Sequence, residues 1–135
     1  MRFVDTNVLL YAISRDPRER HKRDVAGGLL TARDLALSTQ VLQEFYFQAT
    51  RPTREDRLTH RQAVDLVTAF ARFPVQAITL ELVHQALAAR EHYGLSYWDA
   101  AIIEAARSLG CSEVLSEDLN HGQSFGGTVV VNPFR

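Results

Sequence analysis

Five short apolar runs alternate with longer segments of helical periodicity, and this alternation is the feature that most limits how the chain can fold. The runs, each predicted to be a β-strand, are residues 2–4, 35–37, 75–78, 113–115 and 128–131. The segments predicted to be helical are residues 6–14, 18–32, 39–50, 59–72, 80–92 and 97–109. Strands that alternate with helices favour a parallel sheet covered on both faces. The sequence therefore predicts a three-layer α/β fold with a central parallel β-sheet flanked by helices.

A chain of 135 residues, 46% of them hydrophobic, is long enough to bury a core of its own, so we expect one domain over residues 1–135. Thr59 and Gln62 have the spacing of a capping box, which predicts that a helix begins there. Gly94 and Gly110 are typical helix stops. Residues 39–72 carry helical patterns only, and we expect this stretch to lie on one side of the sheet.

Composition excludes several classes of protein. Cys111 is the only cysteine, so neither a disulfide within the chain nor a cysteine-based zinc site can form. No apolar run reaches the roughly 18 residues that a membrane helix needs, and we expect a soluble, cytoplasmic protein. The formal net charge of −1 provides no overall field that would attract nucleic acid, so any polyanion must bind to a local patch.

Acidic residues stand where parallel strands are predicted to end. Asp5 follows the first strand directly, and Asp118 lies three residues after the end of the fourth. Ligands of open parallel sheets bind at the carboxyl ends of the strands. Asp99 lies in the first turn of a helix, on the apolar face that should point at the sheet, and Glu44 lies early in the helix after the second strand. We expect all four side chains at one edge of the sheet.

Each of these carboxylates also has a purely structural interpretation. Asp5 can cap the helix that follows it, and Asp99 can complete a capping box with Ser96. Asp118 can cap a turn, and Glu44 can be an ordinary solvated helix residue. Carboxylates that meet, however, raise one another's pKa values unless a cation is present. Ligand sets made only of oxygen select Mg²⁺ or Mn²⁺, so convergence of the four favours a metal site.

Four short motifs, in order along nearly the whole chain, resemble the acidic motifs of the PIN domain. More narrowly, they are similar to those of the VapC-type ribonuclease toxins of prokaryotic type II toxin–antitoxin pairs. The motifs are DTN at residues 5–7, VLQEF at 41–45, SYWDAA at 96–101 and LSEDL at 115–119. Every acidic position of the family pattern is filled.

The resemblance implies a magnesium-dependent endoribonuclease, with Mn²⁺ as a possible substitute, that leaves a 5′-phosphate and a 3′-hydroxyl. It assigns the catalytic, metal-binding role to four carboxylates: Asp5, Glu44, Asp99 and Asp118. It assigns the support of these carboxylates, or the orientation of water, to Thr6, Asn7 and Ser116. The expected partners are an RNA substrate, a cognate antitoxin protein and a second copy of the chain.

Two arginine-rich segments, residues 15–23 and 51–61, are candidates for phosphate contacts. Acidic residues are interleaved in both, so solvated helix faces explain them at least as well. Only the second segment is expected to approach a substrate, through Arg51 and Arg54. Residues 45–47 are three consecutive aromatics, which cannot all face one core because helical neighbours point about 100° apart. This helix is therefore either buried on several sides or part of a protein interface.

Two other protein families also place aspartates at the edge of a parallel sheet. A phosphatase of the haloacid-dehalogenase type would have a second aspartate where this chain has Asn7. A response-regulator receiver needs a lysine after a late strand, whereas the only lysine is Lys22. The remaining alternative is a catalytically silent PIN fold that binds RNA or protein, against which the four intact acidic positions argue.

Overall fold

A central sheet of six strands organises the computed structural model, which describes residues 1–135. The strands are β1 (Arg2–Val4), β2 (Leu35–Ser38), β3 (Val75–Gln76), β4 (Glu113–Leu115), β5 (Ser124–Phe125) and β6 (Thr128–Val131). Their order across the sheet is β3-β2-β1-β4-β6-β5. Neighbouring strands are parallel, except that β5 and β6 are antiparallel.

Six α-helices flank the sheet: α1 (Thr6–Ala12), α2 (Arg20–Leu29), α3 (Thr39–Thr50), α4 (His60–Phe70), α5 (Leu80–Tyr93) and α6 (Tyr97–Ser108). Four of them begin at a hydroxyl that accepts a hydrogen bond from the backbone N–H three residues later, namely that of Ser38, Thr59, Thr79 or Ser96. The predicted capping box of Thr59 and Gln62 is present. Gly94 ends α5 with a φ of 68°, in the left-handed region that glycine adopts without a steric cost.

The core lies on both faces of the sheet. All four residues of β2 are buried, as expected for a parallel strand that is covered on both sides. Residues 100–106 of α6 are also all buried, and α6 packs against α5, β2 and β4. On the rest of the sheet, α1 packs against α2 and α3 against α4. The predicted three-layer α/β fold is confirmed, and the sheet is mostly parallel.

Several predicted elements differ from the structure in their bounds. The first helix ends at Ala12 and the third strand has only two residues. A 3₁₀ turn, Pro17–Glu19, precedes α2, because the Asp16 carboxylate accepts a hydrogen bond from the backbone N–H of Arg18. The short strand β5 was not predicted, and its antiparallel pairing with β6 makes one edge of the mostly parallel sheet mixed. Its turn to β6 is formed by Gly126 and Gly127, both with positive φ, as in a two-residue hairpin loop.

Other expectations concern the helical excursion and the cysteine. Residues 39–72 contain only the helices α3 and α4, as predicted, and these two helices pack against each other. Cys111 is buried beside the start of β4, and burial raises the pKa of its thiol. None of the helices combines the length and the apolar composition that are required to cross a membrane.

Candidate active site

Asp5 and Asp118 leave the sheet at the same edge. β1 and β4 are parallel neighbours, with Val4 opposite Leu115, and the backbone N–H of Asp5 donates to the Leu115 carbonyl at 3.0 Å. Asp5 is the residue after β1, and Asp118 lies three residues after the end of β4. Because ligands bind at the carboxyl ends of parallel strands, this edge of the sheet is the expected place for a binding site.

Asp5 both caps a helix and forms the centre of a polar cluster. Its Oδ1 accepts a hydrogen bond from the backbone N–H of Thr6 at 2.8 Å, which makes it the N-cap of α1. Its Oδ2 accepts from Ser116 Oγ at 2.7 Å. The side chain is only 8% exposed. The capping interpretation is thus correct, and it leaves the second carboxylate oxygen to the cluster.

Asn7 and Ser116 connect Asp5 to Asp118. The Asn7 Nδ2 lies 3.4 Å from Asp5 Oδ2, 3.3 Å from Ser116 Oγ and 3.1 Å from Asp118 Oδ2. Ser116 Oγ also accepts a hydrogen bond from the backbone N–H of Asp118 at 3.1 Å. The neutral side chains of Asn7 and Ser116 therefore hold the carboxylates of Asp5 and Asp118 beside each other.

Glu44 joins the cluster from α3 through Thr6. The Thr6 hydroxyl donates to Glu44 Oε2 at 2.8 Å, and Gln40 Nε2 donates to Glu44 Oε1 at 3.0 Å. Gln40 is buried and also donates to the carbonyl of Trp98 at 3.3 Å. Gln40 was not among the predicted site residues, although its place one helical turn before Glu44 is a usable signal.

Asp99 stands apart from this network. It follows Trp98 in the first turn of α6 and is half-buried, and its carboxylate makes no hydrogen bond. Its backbone N–H donates to Ser96 Oγ at 3.2 Å, but its side chain does not return to the Ser96 amide, so the reciprocal half of a capping box is absent. Gln40 links the start of α6 to Glu44, which places Asp99 near the cluster without bonding it to the other carboxylates.

The charge of the cluster is not compensated. None of the four carboxylates takes part in an ion pair with an arginine or a lysine. Burial raises the pKa of Asp5 to about 6, against the hydrogen bonds from Ser116 and Thr6 and with a further rise from the charges of Asp118 and Glu44. A negatively charged, oxygen-lined edge of this kind attracts a hard cation.

The side chains of the cluster suit a metal ion by their chemistry more than by their present positions. The candidate ligand atoms are all carboxylate or hydroxyl oxygens, which suit Mg²⁺ or Mn²⁺. As placed, no three acidic side chains converge closely enough to hold an ion together. Asp99 and Asp118 lie at the accessible side of the cluster, half-buried and exposed respectively, so their side chains can rotate at little cost.

The two arginines predicted to contact substrate occupy different environments. Arg51 and Arg54 line one surface groove together with Asn7 and Gln48, so the groove leads from the acidic cluster toward both of them. Arg54 is mostly covered and its Nε lies 3.0 Å from Asp56 Oδ1, whereas Arg51 is exposed and makes no ion pair. Arg51 is the basic side chain of this groove that is free to meet an anion.

The aromatic run divides between core and surface. Phe45 is fully buried and packs edge-to-face on Phe70 at 5.1 Å between ring centroids. Phe47 is 65% exposed, and the Tyr46 hydroxyl lies 2.7 Å from His60 Nδ1. A mostly apolar groove between α3 and α4 is lined by Leu42, Gln43, Tyr46, Val64, Val67 and Thr68. The helix is therefore buried on one side only.

Residues 2–123 match the PIN domain family. The chain belongs to this family. No curated protein sequence matches it. The fold is similar to that of a toxin–antitoxin complex chain from Klebsiella pneumoniae, with a TM-score of 0.72, 21% identity and 98% of each chain covered. It is also similar to VapC20 of Mycobacterium tuberculosis, a sarcin–ricin loop cleaving toxin, with a TM-score of 0.64, 23% identity, and 87% of this chain and 92% of that chain covered.

A third similar structure is the DNA-bound VapBC of Salmonella typhimurium, with a TM-score of 0.64, 18% identity, and 96% of this chain and 95% of that chain covered. At these identities the likeness establishes a shared fold. The family predicted from the four acidic motifs is confirmed, and the structural neighbours of this PIN domain include VapC-type toxins.

Proposed function

We propose that this PIN domain is a metal-dependent endoribonuclease and the toxin of a type II toxin–antitoxin pair. The observation that carries the proposal is the uncompensated cluster of Asp5, Glu44 and Asp118 at the carboxyl edge of the sheet. Asp99 lies at the margin of this cluster with an unbonded carboxylate. Similarity to a toxin that cleaves the sarcin–ricin loop supports RNA as the substrate class.

The chemistry that a bound Mg²⁺ supplies is a water of lowered pKa and a polarised phosphate. Asp5, Glu44, Asp99 and Asp118 would hold the ion. Thr6, Asn7 and Ser116 hold three of these carboxylates in place through the hydrogen bonds described above. A carboxylate of raised pKa, such as Asp5, is also able to take up a proton near neutral pH.

The groove from Asn7 to Arg51 supports a path for the RNA backbone, because an exposed arginine at its end can neutralise a phosphate. The exposed Phe47 and the apolar groove between α3 and α4 support a protein interface, for a homodimer or an antitoxin. A cytoplasmic location belongs to the same proposal, since its RNA substrate is found there.

The test is RNA cleavage by purified protein that has been freed of any inhibitor. We expect cleavage in the presence of Mg²⁺ or Mn²⁺ and none in EDTA. The products should carry 5′-phosphate ends. Asp5→Asn should be inactive, whereas the matched control Asp34→Asn should be active. Asp34 is an exposed aspartate before β2 that pairs with Arg2 outside the cluster. Cleavage that survives chelation would rule out the metal mechanism, and RNA binding without any cleavage would favour a silent binding module.

A further inference from the structure

Glu117 lies between Ser116 and Asp118 in the sequence, but its carboxylate belongs to a different set of contacts. Its Oε1 accepts a hydrogen bond from the Tyr11 hydroxyl at 2.5 Å, and its Oε2 lies 2.6 Å from Lys22 Nζ. Lys22 Nζ also donates to the Tyr11 hydroxyl at 3.3 Å and lies 4.8 Å from the centroid of the Tyr11 ring. Both oxygens of Glu117 are therefore held by residues of α1 and α2.

The backbone of Glu117 transmits this constraint to the acidic cluster. Its N–H donates to Asn7 Oδ1 at 3.2 Å. This bond fixes which end of the Asn7 amide faces the carboxylates, so that Nδ2 points at Asp5 and Asp118. A continuous chain of contacts thus runs from Lys22 through Glu117 to the amide that joins two proposed metal ligands.

The contact between Lys22 and Glu117 also balances a negative charge beside the cluster. Lys22 is the only lysine of the chain, and it forms an ion pair with the acidic residue immediately before Asp118. Without Lys22, only the Tyr11 hydroxyl would hold the carboxylate of Glu117, and its negative charge would be unpaired beside a cluster that already has no cation of its own. Its repulsion would fall first on Asp118, which is exposed and can move.

We propose that Lys22 and Tyr11 are positioning residues of the site, which act through Glu117 to set the orientation of Asn7 and the place of Asp118. The activity readout rests on the proposed nuclease function, whereas the metal-binding and spectroscopic readouts do not. Groups that orient metal ligands typically contribute a factor of about 10 to 100 in metal affinity or activity. We expect the contribution of Lys22 to metal affinity and activity to lie in this range.

The experiment compares Lys22→Met with Lys22→Arg and with a matched control, Arg23→Met. Arg23 is the next residue of α2, carries the same charge and pairs only with its neighbour Asp24 at 3.7 Å. Mn²⁺ affinity is measured by calorimetry, and kcat and KM are measured on RNA with Mg²⁺. Lys22→Met should weaken Mn²⁺ binding about tenfold and lower kcat about tenfold, with KM changed less than about twofold. Lys22→Arg should recover most of both losses, and Arg23→Met should match the wild type.

The side-chain amide resonances of Asn7 provide a readout without metal or RNA. They should shift in Lys22→Met and remain in place in Arg23→Met. Unchanged Asn7 resonances in a folded Lys22→Met protein, or equal losses of Mn²⁺ affinity in the two methionine variants, would overturn the proposal. If Lys22→Met does not fold, Tyr11→Phe removes one hydrogen bond to Glu117 and is judged by the same resonances. A wild type that binds Mn²⁺ but cleaves no RNA would refute the nuclease function and leave this test intact.

Discussion

Replacing Asp5 by asparagine should stabilise the metal-free protein at neutral pH while abolishing its activity. The pKa of Asp5 is about 6 in the folded state, raised first by burial, against about 3.8 in the unfolded chain. The folded state therefore binds more protons between these two values, and stability falls as the pH rises through that window. Above pH 6 the full cost of the buried charge is present, and asparagine removes it.

The magnitude follows from the shift in pKa. A difference of about 2 pKa units corresponds to about 3 kcal/mol at pH 7. Asparagine keeps the cap, because its Oδ1 can accept from the Thr6 N–H. Its amide would face the donors of Ser116 and Asn7. The bond from Ser116 is lost at a cost of about 1 kcal/mol, whereas the Asn7 amide keeps its contacts with Ser116 and Asp118. The net gain of about 2 kcal/mol raises the Tm of a domain of this size by roughly 7 °C.

Urea denaturation of the wild type and Asp5→Asn in EDTA, from pH 4 to pH 8, measures this difference. The stability advantage of the variant should be full at pH 7 to 8 and vanish near pH 4, where Asp5 is protonated. Asp34→Asn is a control in which the change in stability should have the opposite sign. Its exposed bond to Arg2 lowers the pKa of Asp34, so that control should lose stability above the unfolded pKa. An Asp5→Asn protein less stable than the wild type at pH 8, or a difference that does not vary with pH, would refute the reasoning.

Three further substitutions separate the roles of other residues. Asp99→Asn should reduce RNA cleavage by more than about 100-fold. The Tm in EDTA should change little, because the Asp99 carboxylate makes no hydrogen bond. An active variant would mean that Asp99 has only a structural role at the start of α6. Arg51→Ala should reduce the slope of log K against log salt concentration for RNA binding by about 0.7. Arg54→Ala should leave this slope unchanged and should lower the Tm, because its contact with Asp56 is lost. Equal slopes for Arg51→Ala and the wild type would exclude a phosphate contact. Phe47→Ser should keep the native fold but shift a dimer to monomer in analytical ultracentrifugation, and a dimer that persists would place the interface elsewhere.

Local signals predicted most of the fold and the meeting of two aspartates at one edge of the sheet. The apolar runs located the strands around the site, and the rule for parallel strands then brought Asp5 and Asp118 to one edge. The pattern of Ser96 to Asp99 correctly indicated a helix start, because the Ser96 hydroxyl needs only a backbone partner in the same turn. Such features depend on residues that are close in the sequence or on a general property of sheets.

Features that depend on distant side chains were not predictable in this way. The contact of Lys22 with Glu117 requires α2 and the end of β4 to meet, which no local pattern encodes. Two residues of β5 are too few to show a period, so only the glycines that follow gave a signal. The isolation of the Asp99 carboxylate depends on its rotamer, and a sequence pattern fixes the face of a helix but not a rotamer.

The single cysteine makes the protein convenient to label. Cys111 is buried, and the Thr128 hydroxyl donates a hydrogen bond to its carbonyl, so the residue lies beside the start of β6. Since the thiolate is the reactive form and burial raises the thiol pKa, Cys111 should react slowly with maleimides. A second cysteine introduced at Leu87, which is 50% exposed and lines neither the acidic cluster nor the apolar groove between α3 and α4, would then carry a fluorophore or spin label selectively in the otherwise native chain.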